Sequence, residues 1–268
     1  MKKKNKAIYL LFLMPFVYFA TACFVVWLVK TSGIYPSGSD TMYHVYRGDY
    51  VYNAIKSGNW YPLYDPAWYN GVEILRYWSP FPAYVMAFCQ YLAGGSQFGA
   101  YLFYIGGVCF LGACVWPFIG RGFNRPYLGA FIGLLWFFMP NNLCAIFIEG
   151  NLARSLSMIF LPVFIYSVYK YLYNHKLRYI PLMVFTFLLM ELCHLGYAGM
   201  VAIAVIIYGI VYMIQKGRKK AVLDVVISMI FGFMLLGIWM VASLKGGITS
   251  LDNSENMANF FQNLWITI

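Results

Sequence analysis

The sequence predicts an all-α polytopic membrane protein that crosses the bilayer about seven times. Three observations support this prediction: 62% of the 268 residues are hydrophobic, only 10% are charged, and the mean hydropathy is +0.67. A soluble domain carries roughly a quarter charged residues, so this chain has too few to cover a surface in contact with water. The bilayer must therefore be the solvent for most of the chain.

The first predicted element is the apolar run from Ala7 to Val29, which follows a short stretch rich in lysine. Because the run is too long for the hydrophobic region of a signal peptide, we expect a retained first span whose N-terminus is cytoplasmic. A stretch rich in Gly, Pro, Tyr and Trp follows, from residue 30 to about residue 97. We expect a long first outer loop that contains juxtamembrane helices.

The run 81–93 decides the predicted topology. It is shorter than the roughly 20 residues that a spanning helix needs. If it lies along the outer surface, every later cluster of Lys and Arg falls in the cytoplasm, where such residues are enriched. We therefore expect this run to remain outside.

The later spans are expected to alternate in direction. They are predicted at 98–118, 126–146, 155–173, 179–194, 197–214 and 221–243. Near His194 the chain forms either a tight outer hairpin or one long broken helix, and the basic cluster Lys216–Lys220 favours the hairpin. Residues 1–244 are interpreted as one transmembrane module, and 245–268 as the start of a further outer segment of a longer protein.

The net charge of +10 could suggest a nucleic-acid partner. The basic residues lie in short clusters between apolar runs, however, and no basic face with stacking aromatic residues is visible outside the membrane, so we expect no such partner. Eight of the nine acidic residues fall outside or near an outer helix end, with Asp224 as the exception. This asymmetry points to function on the outer face.

The first candidate group is Asp40 with His44, four residues later. A carboxylate close to the outer surface could accept a proton from a hydroxyl group or hold a cation, and residues four apart share a helix face. The alternative is that Asp40 only caps a helix N-terminus.

The second candidate group contains Trp60, Tyr61 and Arg76. Aromatic side chains could stack on sugars, and a guanidinium could bind phosphate. The alternative is an aromatic belt at the membrane interface.

The third candidate group is Glu149, Asn151 and Arg154, at the outer junction of two predicted spans. Charged groups are costly near hydrocarbon, and Arg154 could bind an anionic headgroup or a diphosphate. The alternative is an internal Glu149–Arg154 pair that closes a loop.

The fourth candidate group is Glu191 with His194. Glu and His three residues apart on a helix could form half of a metal site or a proton relay. A hydrogen-bonded pair inside the bundle is the alternative. A divalent cation could take part, with Asp40, Glu191 and His194 as candidate ligands, but the sequence requires no cofactor.

The chain resembles the GT-C superfamily of membrane glycosyltransferases, and among these the bacterial membrane proteins called 6-pyruvoyl-tetrahydropterin synthase-related, close to the YfhO-like group. The residues that carry the resemblance are Asp40-x-x-x-His44, Gly58-x-Trp60-Tyr61-Pro62, Gly71, Tyr77-x-Ser79-Pro80, Glu149-Gly150-Asn151, Arg154 and Pro162. The resemblance implies a polyprenyl-phosphate sugar as donor and Asp40 as the catalytic base. It does not imply pterin chemistry, because no motif of the soluble zinc-binding synthase is present.

Three functions follow from these observations. The favoured one is transfer of a sugar from a polyprenyl phosphate to an acceptor on the outer face of the cell membrane, with Arg154 and Arg76 as partners of the phosphate. The second is a transporter or flippase for a lipid-linked glycan precursor. The third is a non-catalytic scaffold for a membrane complex. All three have membrane lipid as a partner, and the sequence does not indicate an oligomeric state.

Overall fold

The fold is built almost entirely from helices. The structure is a computed structural model that describes residues 2–36, 38–68, 71–76 and 78–243, with side chains from Phe12 onward except that of Ala242. Within these ranges the only β-type pairing is a single bridge between Asp65 and Val72. The expected outer segment 245–268 lies outside the described residues.

Ten α-helices follow one another in the described chain. They are α1 (Lys2–Ser32), α2 (Thr41–Lys56), α3 (Phe81–Leu92), α4 (Gln97–Gly122), α5 (Pro126–Leu135), α6 (Pro140–Leu143), α7 (Leu152–Asn174), α8 (Tyr179–Cys193), α9 (Leu195–Lys216) and α10 (Lys219–Ser243). A 3₁₀ turn (Trp136–Phe138) and a π-helical turn (Cys144–Ile148) flank α6.

Six of the described segments are long and apolar enough to cross a membrane. They are Phe12–Ser32, Gln97–Gly122, Pro126–Ile148, Leu152–Asn174, Leu195–Lys216 and Lys219–Val241, and α8 is a shorter apolar helix. Large apolar side chains cover their outer surfaces; Ile238, for example, is 92% exposed. Such a surface suits hydrocarbon and not water. The predicted all-α polytopic membrane fold is confirmed.

The termini of the long helices lie at two opposite ends of the bundle. At one end, Tyr212 Oη of α9 donates a hydrogen bond to the Leu172 carbonyl of α7, and Lys170 Nζ of α7 donates one to the Gly122 carbonyl of α4. We call this the basic end. Its positively charged residues are Arg121, Arg125, Lys170, Lys176, Arg178, Lys216, Arg218, Lys219 and Lys220.

The opposite end, which we call the Asp40 end, contains α2, α3 and the first long loop. Trp239 Nε1 near the end of α10 donates a hydrogen bond to the Leu75 carbonyl, at 2.9 Å. Ser79 Oγ, just before α3, contacts the Leu192 carbonyl near the end of α8. Which end faces the cytoplasm stays a prediction.

Both termini of α3 lie at the Asp40 end. Its start follows Ser79, beside the end of α8, and near its other terminus Gln90 Nε2 donates a hydrogen bond to Asp49 Oδ1 of α2, at 2.6 Å. With 12 residues α3 measures about 18 Å, which is too short to cross a hydrocarbon layer of about 30 Å. Helix α3 therefore lies entirely within the Asp40 end and does not run the length of the bundle.

The predicted span 126–146 is interrupted. Met139 has an extended backbone (φ −63°, ψ 122°), and α6 begins at Pro140. The interruption arises because proline lacks an N–H and disfavours the helical conformation in the preceding residue. Asn142 Nδ2 donates a hydrogen bond to the Trp136 carbonyl, at 2.8 Å, and so satisfies a group that the break leaves without a helical partner.

The connection between α8 and α9 is the single extended residue His194, with φ −154° and ψ 95°. Tyr212, near the far terminus of α9, returns to the end of the bundle where α8 starts, since its Oη donates a hydrogen bond to the Leu172 carbonyl in the last turn of α7, the helix that precedes α8. The two helices therefore form the hairpin alternative.

Candidate functional site

A backbone contact between two segments 109 residues apart creates the candidate site. The Asp40 N–H donates a hydrogen bond to the Glu149 carbonyl at 3.1 Å, and Ser39 Oγ donates to the same carbonyl at 3.1 Å. The two segments can approach so closely because Gly38 and Gly150, which have no side chains, meet at the contact. A Cβ on Gly38 would lie 2.6 Å from Gly150 Cα. Asp40 is thereby held beside the junction of the interrupted span and α7.

Asp40 occupies the N-cap position of α2, but its side chain makes no capping hydrogen bond. Its carboxylate instead lies 3.1 Å from Ser39 Oγ, which shares its single proton between Asp40 Oδ1 and the Glu149 carbonyl, and the residue is half-buried. A capping Asp normally accepts a hydrogen bond from a backbone N–H of the first helical turn. The carboxylate of Asp40 is therefore left accessible for another partner.

Glu149 and Arg154 form an ion pair with 2.7 Å between Oε2 and Nη1. The internal Glu149–Arg154 pair, which the sequence analysis gave as the alternative to a binding role, is thus present. It does not use the whole guanidinium, because Arg154 Nε is buried and has no hydrogen-bond partner among the described residues. Glu149 follows directly after the π-helical turn, and such turns occur frequently at functional sites.

Asn151 and His194 cap the two neighbouring helices. Asn151 Oδ1 accepts from the Arg154 N–H of α7, at 3.0 Å, and His194 Nδ1 accepts from the Tyr197 N–H of α9, at 3.0 Å. Because Nδ1 is an acceptor, the neutral imidazole carries its proton on Nε2. Asn151 Nδ2, also a donor, lies 3.3 Å from that nitrogen. Two donors therefore face each other, and the oxygen of a ligand placed between them would accept from both.

His44 is buried behind this group. Burial, followed by the neighbouring Arg47 and His194, lowers the pKa of His44 from 6.5 to about 3. The imidazole is consequently neutral at physiological pH. It lies on the buried face of α2 and supports the site from behind, instead of offering a surface to a large substrate.

Arg47 was not among the predicted site residues. Only 2% of it is exposed, and its Nη2 donates to the carbonyls of Trp78 and Ser79, at 3.1 and 3.3 Å. Burial lowers the pKa of Arg47. Its position three residues after His44, on the same face of an otherwise half-exposed helix, is the sequence signal that could have identified it. It fastens α2 to the loop that leads into α3.

Trp60, Tyr61 and Arg76 form a separate group in the first loop. Trp60 is 71% exposed, Tyr61 is also exposed, and Arg76 forms an ion pair with Glu73, at 2.6 Å. No hydrogen bond or ion pair between described residues joins these three side chains to Asp40 or Arg154. The structure thus brings together Asp40, Glu149, Asn151, Arg154 and His194, and it leaves the aromatic group apart.

The expected hydrogen bond between Glu191 and His194 is not formed. Glu191 is the buried residue of the pair, and its Oε2 has no partner among the described residues. The predicted shared helix face of Glu191 and His194 is wrong, because the backbone at His194 is extended and turns the imidazole toward Asn151. In the described part of the chain, no three His, Cys, Asp or Glu residues are grouped so that they could hold a metal ion.

Residues 75–267 match the model of a family described as "6-pyruvoyl-tetrahydropterin synthase related domain; membrane protein". The matched range contains Glu149, Asn151, Arg154 and His194, and it begins after Asp40. No curated protein and no solved structure matches the chain. Since the match covers well over half of the sequence, the chain belongs to the 6-pyruvoyl-tetrahydropterin synthase related family of membrane proteins.

Proposed function

We propose that the protein is a membrane glycosyltransferase that uses a polyprenyl-phosphate sugar as donor. In this proposal the Asp40 end faces the outside of the cell membrane and the N-terminus is cytoplasmic. The observation that carries the proposal is the Asp40–Glu149 backbone hydrogen bond, at 3.1 Å. It places an accessible carboxylate beside a guanidinium, an amide and an imidazole at one end of an apolar bundle.

Asp40 is the general base in the proposed reaction. Its carboxylate accepts the proton of an acceptor hydroxyl while the hydroxyl oxygen forms a bond to C1 of the sugar. The bond between C1 and the phosphate oxygen breaks, and its electron pair leaves with the polyprenyl phosphate. General-base assistance of this kind contributes about a hundredfold to ten-thousandfold in rate.

Three donors are available for the departing phosphate. They are the guanidinium of Arg154, whose side chain is 18% exposed beside Glu149, and the two facing groups Asn151 Nδ2 and His194 Nε2. Preorganised donors stabilise the charge that develops on a leaving group because they need not reorient during the reaction. Glu149, paired with Arg154, fixes the direction of the guanidinium.

Apolar residues beside the polar cluster support a lipid donor. Ile148 precedes Glu149 and is 69% exposed, and Leu195 follows His194 and is 37% exposed. These side chains offer a polyprenyl chain an apolar contact next to the donors for its phosphate.

The test measures transfer of labelled sugar in proteoliposomes, with a panel of polyprenyl-phosphate sugars and mixed glycan acceptors. We expect Asp40→Asn to lower turnover at least a hundredfold, because an amide cannot accept the proton. Asp224→Asn is the matched control, since Asp224 lies at the basic end and its amide can still accept the Tyr171 hydrogen bond.

Wild-type turnover in Asp40→Asn would contradict the role of the base. If no donor in the panel supports transfer, while the wild-type protein moves a labelled lipid-linked sugar between leaflets, the transporter alternative replaces the proposal.

A further inference from the structure

An open depression of about 810 Å³ lies at the basic end, far from the candidate site. Its walls are formed by the connection between α7 and α8 and by the turn between α9 and α10. Its polar lining comes from Tyr171, His175, Arg218, Lys219, Lys220 and Asp224. No function considered so far uses this cavity.

The depression carries an excess of positive charge. Arg218, Lys219 and Lys220 are exposed in its wall, and none of them forms an ion pair with another described residue. The single carboxylate in the lining, Asp224, already accepts a hydrogen bond from Tyr171 Oη, at 2.6 Å. Concave sites lined by one sign of charge attract ligands of the opposite sign.

The guanidinium of Arg218 is held in place by α7. Its Nη1 contacts His175 Nε2 and lies 3.5 Å from the Leu172 carbonyl, at the C-terminal end of that helix. Gly217 turns the chain with φ +67°, so that α10 begins at Lys219 in the wall of the depression. The first N–H groups of a helix have no acceptor within the helix and suit an anion. The Lys219 N–H already donates to the Gly217 carbonyl, at 3.1 Å, so the side chains of Arg218, Lys219 and Lys220 are the principal donors in the wall.

The remaining wall is apolar and lies where two spanning helices end. Leu177, Ile180 and Ala221 contribute to it, and Leu177 is 72% exposed. A soluble phosphate would leave this apolar wall in water, whereas the glycerol and upper acyl chain of a lipid would cover it. Basic pockets between transmembrane helices are known to bind anionic headgroups.

We infer that this depression binds the phosphate headgroup of an anionic phospholipid from the leaflet at the basic end. The inference is independent of the proposed glycosyltransferase activity, because it depends on none of the residues at the Asp40 end.

The test is native mass spectrometry of the full chain in detergent, titrated with phosphatidylglycerol or phosphatidylcholine. The double variant Lys219→Gln/Lys220→Gln should bind phosphatidylglycerol about thirtyfold more weakly, since two basic residues near a headgroup are removed. Arg218→Gln should weaken binding about fivefold. The matched control Arg121→Gln/Arg125→Gln removes the same charge from the same end, outside the depression, and should stay within about twofold of the wild type.

Equal weakening in the two double variants would overturn the inference, because it would indicate diffuse attraction to the basic end. Equal binding of phosphatidylcholine would also overturn it. Displacement of phosphatidylglycerol by inorganic phosphate at matched concentration would assign the depression to a soluble anion and not to a lipid.

Discussion

The crossing of Gly38 and Gly150 gives the most direct test of the candidate site. Gly150 has φ +68°, and a Cβ added to it would lie 2.6 Å from the Thr41 backbone N and closer still to Thr41 Oγ1. Gly150→Ala should therefore destabilise the fold in two ways: the left-handed backbone becomes strained, and Thr41 must move away. Because Thr41 follows Asp40, the carboxylate of Asp40 must move with it.

The two contributions can be separated by matched variants. Gly33 has nearly the same φ, +69°, but nothing lies within 4 Å of its added Cβ, so Gly33→Ala measures the backbone strain alone. That strain amounts to about 1–2 kcal/mol. Gly38→Ala meets the same crossing from the other side, with 2.6 Å to Gly150 Cα, so it measures mainly the steric overlap. Overpacking of this kind costs about 1–3 kcal/mol.

The expected loss for Gly150→Ala is the sum of the two, about 2–5 kcal/mol in the free energy of unfolding. The measurement is unfolding of the purified protein in detergent, followed by intrinsic fluorescence, for all three variants. Displacement of a catalytic group by about 1 Å can lower turnover about a hundredfold, so the folded fraction of Gly150→Ala should also lose transfer activity. If Gly150→Ala matches Gly33→Ala in stability and activity, the crossing does not position Asp40.

Two further predictions concern topology and pH. In intact cells, a membrane-impermeant thiol reagent should label Asn59→Cys, in the first loop, and spare Arg125→Cys at the basic end. Burial, with Arg47 and His194 nearby, lowers the pKa of His44 to about 3 from an ordinary value of 6.5, so only the unfolded state takes up this proton between those pH values. Stability should be unaffected above pH 6.5 and should fall below it by about 1.4 kcal/mol per pH unit, a loss that His44→Gln should remove.

The controls differ between the two experiments. Labelling of Arg125→Cys but not Asn59→Cys would invert the proposed sidedness and separate the site from the outer face. For the pH dependence, His175→Gln is the matched variant, because His175 is exposed at the opposite end of the bundle. If this variant loses the acid sensitivity and His44→Gln retains it, burial of His44 is not the cause.

The spans were predictable because their signal is local. Length and apolar composition identify a segment such as 221–243 without knowledge of its neighbours, and α10 occupies Lys219–Ser243. The group around Glu149 and Arg154 was predictable for the same reason, since its members lie within six residues. The sequence also shows that Lys and Arg cluster in every second connection between the spans. In the structure these residues lie at one end of the bundle.

The contact between Asp40 and Glu149 was not predictable in the same way. It depends on two glycines distant in sequence, and a glycine in a polar loop is compatible with many turns. The buried position of Arg47 depends on carbonyls of Trp78 and Ser79, which α2 alone cannot specify. The prediction for Glu191 and His194 failed for a related reason. It placed both residues on one helix face, but the extended backbone at His194 ends α8.

The candidate site consists of two parts with different physical roles. Arg154, Asn151 and His194 supply donors, lie within the matched range 75–267, and are held by the N-termini of α7 and α9. Asp40 supplies the carboxylate, precedes that range, and is held at the N-terminus of α2 and by the contact of its segment with Glu149 and Gly150. Because the parts are joined by one backbone hydrogen bond, one hydrogen bond from the Ser39 side chain and a close glycine contact, a small shift of the Asp40 segment would separate the base from the phosphate donors without disturbing α7 or α9. Binding of a lipid phosphate and activation of an acceptor are therefore physically separable steps in the proposed mechanism, and the crossing at Gly150 is the element that couples them.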